Sequence, residues 1–91
     1  MSVTIHIPSA LRRFTSNSPT ISVGANNIKS AFAKAVEQHP QLKAQLFADN
    51  GQMRRFINVF VNEEDIRYLE QENTPLTDKD SVTVVPAIAG G

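Results

Sequence analysis

Cysteine is absent from this chain of 91 residues, which removes several classes of chemistry at once. There is no disulfide framework, no thiolate nucleophile and no cysteine-based metal site. Net charge is also missing: nine basic residues are balanced by nine acidic ones, so no electrostatic footprint for nucleic acid or an anionic membrane stands out. Long apolar runs are lacking as well. Residues 84–89 form the longest, and Pro86 interrupts it; nothing here has the length of a membrane span, and no signal-peptide pattern opens the chain. The expected compartment is the cytosol. Glycine is scarce, with four in all and two of them at the end, so there is no glycine-rich loop to cradle a phosphate.

Histidine is nearly as rare. His6 and His39 are the only two, far apart in sequence and without cysteine to join them, so no metal site is expected. Glu63, Glu64 and Asp65 read as a solvated acidic turn. Asp78 and Asp80 flank Lys79 in a stretch too short for a calcium loop, and they read as turn formers that bond their own backbone. No serine, histidine and acid combine convincingly into a triad. The sequence therefore predicts a protein with no catalytic residues and no bound cofactor.

What is present is a pattern of strands around one helix. Val3, Ile5 and Ile7 alternate with polar residues until Pro8, the period of a half-buried strand. Leu11 and Phe14 are placed to anchor the following loop. Residues 20–23 alternate again after the turn cluster Asn17-Ser18-Pro19, which suggests an antiparallel hairpin. Asn27 is the expected helix cap. Ile28, Ala31, Phe32, Ala35 and Val36 then recur at helical spacing, until Pro40 forces a stop by about His39. Pro40 suits the first position of a short second helix with Leu42, Leu46 and Phe47 inward.

Residues 49–52 read as a mobile loop tip. Residues 55–61 make the strongest strand, with Ile57, Val59 and Val61 on one face and Phe56 and Phe60 on the other. A turn follows at residues 62–65, then a short strand at residues 66–68 and a polar loop at residues 70–75. Residues 81–85 form the last strand, which Pro86 is expected to end because proline has no N–H for a ladder. A second long helix between residues 62 and 80 is missing, which argues against a ferredoxin-like fold. One helix on a mixed four- to five-stranded sheet, first and last strands side by side in the centre, is the remaining simple solution. That is an α+β, β-grasp (ubiquitin-like) architecture with one main helix and a short second one. Residues 1–86 are expected to form the domain and residues 87–91 a flexible tail.

The tail is the most distinctive stretch. It reads Pro86-Ala87-Ile88-Ala89-Gly90-Gly91, small and uncharged. At a glycine usage of about 7%, two terminal glycines arise by chance roughly once in 200 chains. Without Cβ atoms, Gly90 and Gly91 can lie extended in a channel too narrow for other residues. An enzyme that modifies the terminal carboxylate of another protein needs that access. Phe56, Phe60 and Val85 are the expected partner-binding residues, forming an apolar patch on the sheet.

These residues resemble the ubiquitin-like sulfur carriers of the MoaD/ThiS family. The resemblance covers essentially the whole chain. It rests on Val61-Asn62-Glu63-Glu64-Asp65-Ile66-Arg67, on Leu76-Thr77-Asp78-Lys79-Asp80-Ser81-Val82, and on the Pro86 to Gly91 ending. Residues 55–62 and the ending look most similar to the carrier of a bacterial route to cysteine. Small subunits of molybdopterin synthase, thiamine-pathway carriers, protein modifiers and plain interaction domains are the alternatives. Lys79 departs from the family, which usually has glycine between the two aspartates, so a different or a strained turn is expected. Ala87, Ile88 and Ala89 lack the arginines that precede the diglycine of ubiquitin.

The resemblance implies that a ubiquitin-activating-like enzyme adenylates Gly91 with ATP, and that a sulfur donor converts it to a thiocarboxylate. Ile88, Ala89 and Gly90 would occupy the partner's channel. A pyridoxal-phosphate cysteine synthase would accept the sulfur, and a metalloprotease would act at the tail. Lacking cysteine, such a carrier has no thiol of its own to capture its activated end.

Overall fold

The computed structural model describes residues 2–53 and 57–86. The first strand, β1 (Val3–His6), buries Val3 and Ile5. It pairs antiparallel with β2 (Thr20–Val23), Val3 opposite Val23 and His6 opposite Thr20. The connection holds a 3-10 helix, Ser9–Phe14, where the sequence suggested only a loop. Leu11 is buried there and Phe14 packs against the core. The buried Thr15 hydroxyl closes the segment within hydrogen-bond distance of the Arg12 and Ser18 carbonyls.

Helix α1 (Ile28–Gln38) begins at a capping box. Asn27 Oδ1 accepts from the Ser30 N–H at 2.8 Å, and the Ser30 hydroxyl accepts from the Asn27 N–H. Such a cap contributes about 1 kcal/mol. Ile28, Ala31, Phe32 and Ala35 are buried on one stripe, as the spacing requires. Pro40 opens a 3-10 turn, Pro40–Leu42, that runs into α2 (Lys43–Leu46). Leu42 and Leu46 are buried, and the half-buried Phe47 meets Phe32 edge to face with centroids 6.4 Å apart.

The tip at residues 49–51 is a regular three-residue hairpin turn. Gly51 N–H donates to Ala48 at 2.9 Å, Ala48 N–H donates to Gln52 at 2.7 Å, and Phe47 bridges Met53. Gly51 has φ +83°, the left-handed residue that completes a type I turn and bulge of this length.

Strands β3 (Ile57–Val61), β4 (Glu64–Asp65) and β5 (Ser81–Pro86) complete a five-stranded sheet of order β2-β1-β5-β3-β4. β1 and β5 are parallel neighbours near the centre, and β5 is antiparallel to β3. This mixed sheet with one main helix and a short second one is the β-grasp architecture.

Other local expectations fail too, beginning with the turn expected at residues 62–65, whose last two residues form β4. Residues 66–68 are a 3-10 helix, Ile66–Tyr68, and not a strand. Asp65 explains this, because its carboxylate accepts from the Arg67 N–H at 2.9 Å and so caps a tight turn in place of a ladder. The polar loop after it contains a further 3-10 turn, Gln71–Asn73. Pro86 also belongs to β5, opposite Ile57. Asn62 N–H donates to the Ser81 carbonyl, so bonded pairs alternate at 62/81, 60/83 and 58/85. Pro86 therefore turns its nitrogen away from β3, beyond Thr83, the last β5 residue paired with β1. The missing N–H breaks nothing.

Lys79 is accommodated without strain. It is not among the residues with positive φ, and Asp80 N–H donates to the Thr77 carbonyl at 3.0 Å in an ordinary four-residue turn. Past the Gln71–Asn73 turn, Ile28 N–H donates to Thr74 and Leu76 N–H to Asn26, so this polar stretch is tied to the start of α1.

Candidate docking face and tail

The buried face of the sheet takes Val3, Ile5, Ile21, Val23, Val59, Val61, Val82 and Val84. Alternation then sends the intervening residues to the opposite face. One row crosses all five strands there: Thr20 beside His6, His6 beside Thr83, Thr83 beside Phe60, Phe60 beside Asp65. Val85 stands opposite Asn58 one step nearer the end of β5.

Of the expected partner-binding residues, Phe60 is half-buried on this outer face and Val85 is 41% exposed. They share the face without being directly opposite each other. Phe56 lies outside the described residues, as do Ile88, Ala89, Gly90 and Gly91. Pro86 is the last described residue of β5, which is paired with β1 over Ser81 to Thr83 and with β3 over Val82 to Pro86.

Charge on this face collects at its β4 edge. Arg67 bonds Asp65 through its guanidinium, with Nη2 to Oδ2 at 2.7 Å. That guanidinium, and then the Arg67 backbone N–H, hold the Asp65 carboxyl below its usual pKa, while the same pair raises Arg67. Just past the same end of β3, the Asn62 side-chain amide, followed by the Thr77 N–H, holds Asp80 below the usual value. Among the described residues no group of three or more His, Asp or Glu is placed to hold a metal. His6 is exposed on the outer face. No helix among the described residues is long and apolar enough to cross a membrane.

Sequence reasoning missed two features. One is Asn62, which has φ +59° and bridges two elements through its amide; an Asn directly after a strand was the available signal. The other is a groove of about 580 Å³ beside β3, lined by Met53, Ile57, Ile66 and Arg67 among others. β4 pairs only with Phe60 and Val61, so, among the described residues, 57–59 have no neighbouring strand on that side. No sequence signal marked the groove.

The five-stranded sheet with its one main helix is the fold of ubiquitin-like proteins. Comparison with known proteins agrees, since the ThiS family profile matches residues 5–91. The chain belongs to the ThiS family. It is 32% identical over 93 residues, covering all of both chains, to the sulfur carrier protein CysO of Mycobacterium tuberculosis. The crystal structure of the BexX/CysO complex of Amycolatopsis orientalis contains a chain that superposes with a TM-score of 0.89 at 32% identity, over 98% of this chain and 99% of that one. The small archaeal modifier SAMP1 of Haloferax volcanii shares the fold, with a TM-score of 0.87 at 23% identity over the full length of both chains. The curated relatives matched over their full length are sulfur carrier proteins.

Proposed function

We propose that this protein is a sulfur carrier that works through the carboxylate of Gly91, on a route to a cysteine-type amino acid. The observation that carries the reading is the family match, which runs through the diglycine to Gly91 itself. The full-length similarity to CysO supports the cysteine branch. A carboxylate is a poor electrophile. A partner enzyme would therefore use ATP to convert Gly91 to an acyl-adenylate, releasing pyrophosphate. A sulfur donor would then displace AMP, leaving a thiocarboxylate that holds the sulfur as a nucleophile.

The folded domain supplies docking, and the partners supply the catalysis. Val85 and Phe60 would meet the partner while Ile88, Ala89 and Gly90 thread its channel. An acceptor of the pyridoxal-phosphate cysteine synthase type would take the sulfur, and a metalloprotease would free the product from Gly91. The BexX/CysO complex of Amycolatopsis orientalis supports a stable encounter of such a domain with a partner protein.

The test is reconstitution with the host's adenylating enzyme, ATP and sulfide. Formation of AMP together with a thiocarboxylate at Gly91 supports the reading. Attachment of Gly91 to lysines of other proteins would instead make the chain a modifier, and no activation at all would leave it an interaction domain.

A further inference from the structure

Seven asparagines occur in the chain, and only Asn50 is followed by glycine. Both residues of that pair are exposed at the hairpin tip. Gly51 has no side chain to crowd its backbone nitrogen, and the space where a Cβ would stand is open. The Asn50 side chain turns back toward the residues that follow it. Its Oδ1 accepts from the Gln52 N–H at 3.0 Å, an Asx-turn that curls the carboxamide back along the chain.

From this geometry we propose that Asn50 is a site of spontaneous deamidation and backbone rearrangement through the Gly51 amide.

In the reaction the Gly51 nitrogen, having lost its proton to base, attacks the Asn50 carboxamide carbon. A bond forms between that nitrogen and Cγ, the Cγ–Nδ2 bond breaks, and ammonia leaves with the proton it requires. The resulting five-membered succinimide is opened by one water. Attack at one carbonyl gives aspartate, and attack at the other gives isoaspartate with the chain routed through Cγ. The Gln52 N–H is placed on the oxygen that becomes negative during the attack, so it stabilises the developing charge. The opposing feature is the 2.9 Å bond from Gly51 N–H to Ala48, which must open before the nitrogen can react. The other asparagines precede Ser18, Asn27, Ile28, Val59, Glu63 and Thr74, whose side chains crowd the nucleophile.

Isoaspartate inserts a methylene into the main chain of a turn that fits three residues. The Ala48–Gln52 pairing cannot survive that insertion, and the new carboxylate also moves the formal net charge from zero to negative.

The experiment ages the purified full chain in warm, mildly alkaline buffer and follows peptides by mass spectrometry with isoaspartyl detection. The expected result is conversion of amide to acid at Asn50 ahead of every other asparagine, faster as pH rises, with isoaspartate among the products. Asn50→Gln, which would need a six-membered ring, should remain unconverted at that position while folding normally. Hydrogen exchange on the aged wild type should show lost protection at the Ala48 N–H. Conversion beginning at Asn17 or another asparagine would overturn the proposal. So would an Asn50 that stays intact, or Ala48 protection unchanged in an isoaspartyl sample.

Discussion

Asn62 and Asp80 lock the end of β3 to the start of β5. Asn62 Nδ2 donates to Asp80 Oδ1 at 2.9 Å, and Asn62 Oδ1 accepts from the Ser81 N–H at 3.0 Å. The remaining carboxylate oxygen of Asp80 accepts from the Thr77 N–H at 2.9 Å. One amide and one carboxylate thus fix where the central strand begins, and with it the strand that presents the tail.

Asn62 can be tested by separating its conformation from its bonds. Its φ of +59° costs a residue with a Cβ roughly 1–2 kcal/mol relative to glycine. Asn62→Gly loses the two side-chain bonds but keeps the backbone free, whereas Asn62→Ala loses both advantages. Urea denaturation should rank wild type above Asn62→Gly and Asn62→Gly above Asn62→Ala. Equal stability of the two variants would show that the left-handed backbone is not what the position requires.

Acid should weaken the same lock. Asp80 and Asp65 both have folded-state pKa values below the ordinary aspartate value. Groups depressed in this way stabilise the fold above the unfolded pKa of about 4, and the contribution disappears as pH falls through the folded value. Stability should therefore drop below about pH 4, and Asp80→Asn should flatten part of that drop. Unfolding titrations from neutral to strongly acid pH check it; an identical acid slope in Asp80→Asn would contradict the assignment.

The two phenylalanines of contrasting burial should behave differently. Phe32 is fully buried in the core, and Phe32→Ala should cost about 3–5 kcal/mol. Phe60 is half-buried on the outer face beside Thr83, so Phe60→Ala should cost about 1 kcal/mol or less. Its larger effect is expected on affinity for the adenylating partner, measured by calorimetry alongside the melts. A Phe60→Ala domain that unfolds would place the ring in the core and remove it from the docking face.

Gly90 and Gly91 should matter for transfer and not for stability. Deleting Gly91, or replacing Gly90 with a bulky residue, should abolish sulfur loading while leaving the melting temperature unchanged. Retained loading in both variants would remove the channel requirement.

The elements that sequence made legible were those with strong periodicity. The apolar residues of α1, the Asn27 cap and the alternation of Val3, Ile5 and Ile7 each specify one local answer, and burial agrees with them. The first and last strands were expected side by side in the centre of a mixed sheet, and β1 and β5 are neighbours there. Failures came where a side chain competes with the backbone. Asp65 captures the Arg67 N–H and turns an apparent strand into a 3-10 helix. Pro86 escaped its usual role because only the register shows that its nitrogen faces away from β3. The outer-face positions of Phe60 and Val85 were readable from alternation, whereas the groove depends on how short β4 is.

The intact mass of the protein isolated from its own cells, with the terminal peptide sequenced, tests the central claim most directly. A carrier working through Gly91 should show a fraction in which one oxygen is exchanged for sulfur, localised to that residue. A carboxylate unmodified in every preparation, and unchanged by ATP, sulfide and the host's adenylating enzyme, would contradict the account.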